Sequence, residues 1–180
     1  MVLRYIFLFL YYSFFRWLPS SYSKMGGGGI GLCLRRWACR HIFEYCGKNV
    51  NIERGAKFGS GRGIILDDES GIGINCDVPC NIHIGKNVMM GPNCVILHSN
   101  HCFDRVDIPM QKQGFTPMKQ VTIEDDCWIG CNVIMTAGRT IKRGTIIGAG
   151  CVLTKDFPSY SIVGGNPSYL IRRRILEDSH

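Results

Sequence analysis

Apolar residues recur every six positions along most of this chain. The first run is Leu66, Ile72, Val78, Ile84, Met90 and Ile96; the second is Ile123, Ile129, Met135, Ile141, Ile147 and Leu153. A weaker pair six apart, Ile52 and Phe58, precedes the series and is followed by a two-residue slip. Neither ordinary period accounts for this. A helix wants apolar residues at three- and four-residue intervals, and a half-buried strand wants every second one. Six residues read instead as a short extended segment plus a turn. Three such segments close a triangular coil of about 18 residues, and successive coils stack at the parallel-strand spacing of roughly 4.7–4.9 Å. The apolar residue points into the prism, where neighbours above and below form ladders. Gly85, Asn87, Gly91, Asn93, Gly130, Asn132 and Gly148 are expected at the corners, because glycine and asparagine tolerate unusual backbone angles.

The first 47 residues carry a different pattern and are expected to be helical. Met1 to Leu18 (MVLRYIFLFLYYSFFRWL) is strongly apolar, yet only eleven residues separate Arg4 from Arg16, short of the ~20 that a membrane-spanning helix needs. No small-x-small cleavage site follows, so a signal peptide fits poorly. Two readings stay open: a helix packed on the prism or on a sister subunit, or an interfacial helix holding Tyr5, Phe7, Tyr11, Tyr12, Phe14, Phe15 and Trp17 at headgroup level. The run Gly26 to Gly29 reads as a flexible joint. Leu32 to Tyr45 has helical spacing, with Arg35, Arg36 and Arg40 expected to face solvent. The division expected is therefore a helical segment over 1–47, coils over 48–165, and a helix or tail over 166–180.

Composition narrows the class. A chain of 180 residues is one domain, and 46% hydrophobic against 19% charged residues excludes a disordered chain. The 22 glycines do not fall at every third position, which excludes collagen. A net charge of +7 suits an anionic ligand or membrane headgroups and does not by itself point to nucleic acid. The ten cysteines contain no C-x-x-C pair, and Cys76, Cys94, Cys127 and Cys151 each follow an inward apolar residue by four. Cysteines in step with a packing repeat act as small hydrophobes, which favours reduced thiols and a cytosolic chain.

The repeat halts over residues 97–122 and then resumes with the same six-residue step. An excursion of 26 residues inside so regular an array is a candidate functional loop. At its base sits His98-Ser99-Asn100-His101; Pro109, Gly114 and Pro117 shape its middle, and Phe103 and Phe115 could anchor its tip.

The stretches CDVPCNIHIGKNVMMGPNCVIL, SNHCFDR, DDCWIGCNVI, IGAGCVLTKDFP and SIVGGNPSYLIRR resemble the hexapeptide-repeat acyltransferases. The likeness runs over about residues 48–174, and within the family it is nearest to sugar O-acetyltransferases of the galactoside, maltose and capsule or exopolysaccharide type. Met90 and Met135 depart from the usual aliphatic residue, and Tyr169 stands where some relatives carry a basic one. The resemblance implies an all-β left-handed parallel β-helix with flanking helices. It also implies acetyl-CoA as co-substrate with no tightly bound cofactor or metal, a sugar or glycan acceptor in bacterial surface polysaccharide synthesis, and a homotrimer without a nucleic-acid partner.

The residue roles follow from the same resemblance. A sugar hydroxyl is a poor nucleophile until a base takes its proton, and histidine, with an ordinary pKa of ~6.5, suits that task. His101 matches the family's catalytic histidine; capping the loop is its other reading. The oxyanion of the tetrahedral intermediate needs a donor fixed in advance, and the matching backbone N–H belongs to Cys131, in Trp128-Ile129-Gly130-Cys131. The backbone around Ala149 would meet the pantetheine arm, and Thr154, Lys155 and Arg172 the phosphates, with Trp128 and Cys131 as further CoA-binding candidates. Asn75 and Asp77 are candidate acceptor contacts or simply corner residues. The site would take His101 from one subunit and its CoA wall from another. On the interfacial reading of residues 1–18, the chain would also be in peripheral contact with the inner face of the membrane. Two other classes remain as alternatives: a non-catalytic, membrane-docked scaffold, and a β-helical carbonic anhydrase. The latter needs three histidines on zinc, whereas only His98 and His101 among His41, His83, His98, His101 and His180 are neighbours.

Overall fold

The computed structural model describes residues 2–23 and 27–174. From Tyr45 onward, short parallel segments stack on three faces of a left-handed prism. The first face holds Tyr45–Cys46, Ile65–Leu66, Ile82–Ile84, Val121–Ile123 and Thr140–Ile141. The second runs from Asn51–Ile52 and Gly71–Ile72 through Met89–Met90, Trp128–Ile129 and Ile146–Ile147 to Ser161–Gly164. The third holds Val95–Ile96, Ile134–Met135 and Val152–Leu153.

Strand register reproduces the spacing read from the sequence. Ile65 pairs with His83, and Thr122 with Thr140, 18 residues on in each case. In the first coil Tyr45 pairs with Ile65 and Asn51 with Gly71, 20 residues on, which locates the two-residue slip. Met89 pairs with Trp128 and Val95 with Ile134 at an offset of 39, one coil plus a 21-residue excursion. All twelve residues of the two runs, with Ile52 and Phe58, are at most 9% exposed. Each such burial contributes about 1.5–3 kcal/mol, so this column is the main source of stability. Cys76, Cys94, Cys127 and Cys151 lie in the same core, and all ten cysteines are free thiols. Burial pushes the Cys127 thiol up to about 11, so it packs as a neutral group.

The corners correct part of the expectation. Asn87, Asn93 and Asn132 do adopt the left-handed region, with φ of 57°, 59° and 56°. Gly85, Gly91, Gly130 and Gly148 have ordinary backbone angles; at the first three a side chain would strike the backbone of the next coil. A Cβ on Gly91 would lie 2.7 Å from Cys131 N, and one on Gly130 2.6 Å from Ala149 N. Close stacking of coils, rather than turn geometry, is what requires glycine there. Replacing Asn87 by valine is expected to cost about 1–2 kcal/mol and by glycine only a few tenths, read from denaturant midpoints.

Two helices close the N-terminal end of the prism: α1 (Val2–Ser13) and α2 (Gly28–Ile42). Phe7 and Tyr11 of α1 are buried, and Tyr11 rests on Phe58 with ring centroids 4.5 Å apart. The first coil would otherwise present a row of bare carbonyls, and an open edge of that kind invites unwanted pairing. Arginine and tyrosine side chains occupy it. Arg36 Nε donates to Val50 O at 2.9 Å, Arg35 Nε to Ile52 O at 2.6 Å, and Arg16 Nε to Gly55 O at 3.2 Å. Tyr11 donates to Ala56 O at 3.0 Å, and Arg4 Nη2 to Ser60 O at 2.6 Å. The expected solvent-facing arginine cluster is therefore corrected. Arg35 is fully buried, bonded also to Leu18 O and Pro19 O, and paired with Glu53 at 3.9 Å; only Arg40 of the three is exposed. Of the expected glycine joint, Gly28 and Gly29 belong to α2, and Gly26 lies outside the described residues.

At the other end the expected C-terminal helix is, over Tyr169–Arg173, a strand. It pairs antiparallel with Ser161–Gly164, Ile162 lying opposite Arg172. The last coil supplies an open edge that this segment can bond, which a three-residue arginine run in a helix could not do. Residues 175–180 lie outside the described residues.

Candidate active site

The excursion is a folded arm. Its two limbs are tied by Thr116 N to Asn100 O at 2.8 Å, Cys102 N to Gly114 O at 3.0 Å and Lys119 N to His98 O at 2.9 Å. The Thr116 hydroxyl donates to Asn100 O at 3.1 Å and accepts from Asn100 N at 3.0 Å. His101 stands exposed on this arm, its ring 4.2 Å from that of Phe115. Farther out, Phe103, Val106, Met110 and Met118 are exposed, Val106 completely. His98 Nδ1 bonds the hydroxyl of Ser99 at 2.9 Å, and His83 Nε2 meets Asp67 at 3.0 Å on the first face. His41 stacks on Phe7 with centroids 4.1 Å apart. The histidines are thus dispersed, and among the described residues no three His, Cys, Asp or Glu side chains converge on a metal position.

Cys131 sits at the corner where the second face turns into the third. Its carbonyl accepts from Gly150 N at 2.9 Å, while the flanking amides are occupied: Gly130 N donates to Ile147 O and Asn132 N to Pro92 O. No acceptor for the Cys131 N–H is found among the described residues. Trp128 belongs to an outward column of the second face, in which Met89 pairs with Trp128, Trp128 with Ile146, Ile146 with Ile162, and Ile162 with Arg172. Ala149 is exposed at the same corner as Cys131. Thr154 and Lys155 follow the third face, Thr154 Oγ1 lying 3.2 Å from Ser168 Oγ and Lys155 Nζ 5.6 Å from the Phe157 ring.

One chain therefore splits these residues. Trp128, Cys131, Ala149 and Arg172 gather on the second face and its border with the third. His101 leaves from the opposite edge of the third face, where the chain turns toward the first.

A groove of ≈ 340 Å³ lies along the second face, between Trp128 and Met89 at one end and Tyr22, Asn51, Glu53 and Glu69 at the other. Asn75 and Asp77 do not line it. Asn75 is a corner residue with φ 55°, and Asp77 lies on the third face in register with Val95. Nothing in the inward series points to the groove's polar end. The signal that does is the outward register, since Asn51 pairs with Gly71 one coil before Met89. Glu53 is held ionised: burial works to raise its pKa, but hydrogen bonds from Ser21 and Asn51 outweigh that and lower it.

The family described as bacterial transferase hexapeptide (six repeats) matches residues 120–155. A putative acetyltransferase of Saccharomyces cerevisiae is 30% identical over 150 residues, covering 83% of this chain and 69% of that protein. The chain belongs to the hexapeptide-repeat acyltransferase family. A putative acetyltransferase of Schizosaccharomyces pombe is 39% identical over 92 residues, which are 51% of this chain and 43% of that relative, so the chain spans under half of its length. Among solved structures of the family, a galactoside acetyltransferase in complex with coenzyme A superposes with a TM-score of 0.76 at 25% identity. That likeness covers 95% of this chain and 80% of the other.

Proposed function

We propose that this protein is an acetyl-CoA-dependent O-acetyltransferase that moves an acetyl group onto a sugar hydroxyl by direct transfer. It acts as a homotrimer in the cytoplasm, in the building of bacterial surface polysaccharide. The observation that carries this reading is the division of the site between the two edges of one face, in a chain that matches a coenzyme A-bound galactoside acetyltransferase along nearly its whole length. A seam between sister prisms would bring the His101 arm of one subunit against the Trp128–Ala149 edge of its neighbour. Exposed apolar groups favour such a seam: Val95, Leu97 and Ile134 on or beside the third face, and Phe103 and Val106 on the arm.

The chemistry is proton transfer plus electrostatic stabilisation. His101 accepts the proton of the acceptor hydroxyl as its oxygen attacks the thioester carbonyl. The Cys131 N–H receives the developing oxyanion. Collapse of the intermediate breaks the carbon–sulfur bond, and the proton on His101 passes to the departing CoA thiolate. The acetyl carbon never bonds to the protein. Trp128 and the backbone at Ala149 would line the pantetheine, with Thr154, Lys155 and Arg172 toward the phosphates. The groove from Trp128 to Asn51 would take the acceptor. Its polar end offers Asn51 and Glu69 as hydroxyl-binding groups, besides the candidates Asn75 and Asp77 outside it, while buried Glu53 orients Asn51.

Thiol release from acetyl-CoA, measured against a panel of sugars and glycan intermediates, tests the reading. Release with at least one sugar is expected, and none with any of them would sink it. Because only its backbone is used, Cys131→Ala should keep kcat within about threefold of the parent. Trp128→Glu, at a position 51% exposed, should raise the apparent KM for acetyl-CoA at least tenfold with an unchanged melting temperature.

A further inference from the structure

The apolar stripes of α1 face opposite ways. Phe7 and Tyr11, with Leu8 partly covered, face the prism. Val2, Tyr5, Ile6 and Phe9 recur at helical spacing on the other side, and are 73%, 53%, 49% and 65% exposed. Phe14 and Trp17 continue that surface past the helix end at 57% and 56% exposed, and Trp37 of α2 adds a further 48% exposed indole. A helix that is apolar all round ordinarily has both sides covered. Here the chain covers one. Among the described residues no helix is long and apolar enough to cross a membrane, so insertion as a span is not its use.

Charge identifies the occupant. Residues 1–43 hold six Lys and Arg and no Asp or Glu, and five positive charges remain besides Arg35, which is buried against Glu53. Exposed Arg40, Arg54, Lys57 and Arg62 lie on α2 and the first coil, at the same end. Arg16 places its guanidinium 4.5 Å from the Trp17 ring, a cation beside an aromatic at the margin of the apolar surface. Two copies of so basic a face would repel one another, whereas aromatic side chains ringed by arginine and lysine match an anionic lipid surface.

We infer that the outer face of α1, with Phe14, Trp17 and Trp37, is a docking surface for an anionic bilayer. The helix lies in the headgroup layer and the prism stands away from the membrane on its opposite end. Docking is independent of acetyl transfer, so its test needs no acceptor. The full chain is floated with vesicles of neutral phosphatidylcholine, and with vesicles in which about a third of the lipid is phosphatidylglycerol. Binding is expected to the anionic vesicles alone and to weaken at about 0.5 M salt, where the Debye length falls to a few ångströms. The pair Ile6→Glu and Phe9→Glu, both outside the core, should weaken binding at least tenfold with an unchanged helical circular dichroism signal and an unchanged mass by light scattering. The inference is overturned if anionic vesicles are not bound, if neutral vesicles bind equally, or if the double variant floats as well as its parent. A change in oligomeric mass would also overturn it, by assigning the surface to a second copy of the chain.

Discussion

Replacing His101 by alanine should lower kcat for acetyl transfer by about 10²–10⁴-fold, the ordinary contribution of a positioned general base. The apparent affinity for acetyl-CoA should stay nearly constant, because the arm is held by backbone bonds and by Thr116 rather than by the imidazole. His101 is exposed and meets only the Phe115 ring closely, so removing it empties no core position. Unchanged melting and unchanged oligomeric mass are the controls. A variant retaining more than a tenth of parental kcat would place the base elsewhere and leave His101 as a cap of the arm. Mixing His101→Ala subunits with subunits carrying Trp128→Glu adds a second reading. If each site is shared between neighbours, mixed trimers contain some sites with neither lesion and recover activity that neither variant has alone.

Arg35→Met should destabilise the chain by about 3–5 kcal/mol, the cost of leaving one partner of a buried ion pair uncompensated. Arg35 is wholly buried and its guanidinium serves Ile52 O, Leu18 O and Pro19 O besides Glu53. Methionine fills much of the volume and satisfies none of these groups. Adding Glu53→Gln should recover part of the loss, since the orphaned carboxylate is then gone. The folded-state pKa of Glu53 is depressed. Its contribution is therefore full above the unfolded carboxyl value of ~4.3 and disappears as pH falls through the lower folded value. The Glu53 charge is also what supports the buried Arg35 guanidinium against desolvation, so the stability gap between parent and Arg35→Met should narrow in acid as Glu53 is protonated. Urea midpoints at pH 7 and near pH 3 measure it, and a gap independent of pH would remove Glu53 from the account.

What could be read from the sequence was whatever the inward position of the repeat dictates. Ile72, Ile84, Ile129 and Ile147 announce a prism because one face of each six-residue step must be dry, and the 97–122 gap announces an arm because the same step resumes beyond it. The arginines of α2 were not legible in the same way. Arg35 and Arg40 differ in fate through the position of a carbonyl edge, and the two-residue segments that form that edge belong to a different part of the chain. Gly91 and Gly130 look like turn residues in sequence, yet their reason is a neighbour one coil away. The groove beside Asn51 escaped because outward residues obey no hydropathy rule; only strand register places Asn51, Gly71 and Met89 along one line. The Tyr169–Arg173 segment has helix-compatible residues, and the unpaired edge of the preceding coil decides its conformation.

The two ends of the prism are finished differently, and this bears on what the molecule is prevented from becoming. Parallel coils are a self-templating architecture, in which the bottom of one stack could accept the top of the next and elongate without limit. Side-chain donors from α1 and α2 plug the bottom, and a reversed strand bearing Arg172 and Arg173 blunts the top. With both ends stopped, end-to-end growth into a fibre is denied to a fold otherwise built for it.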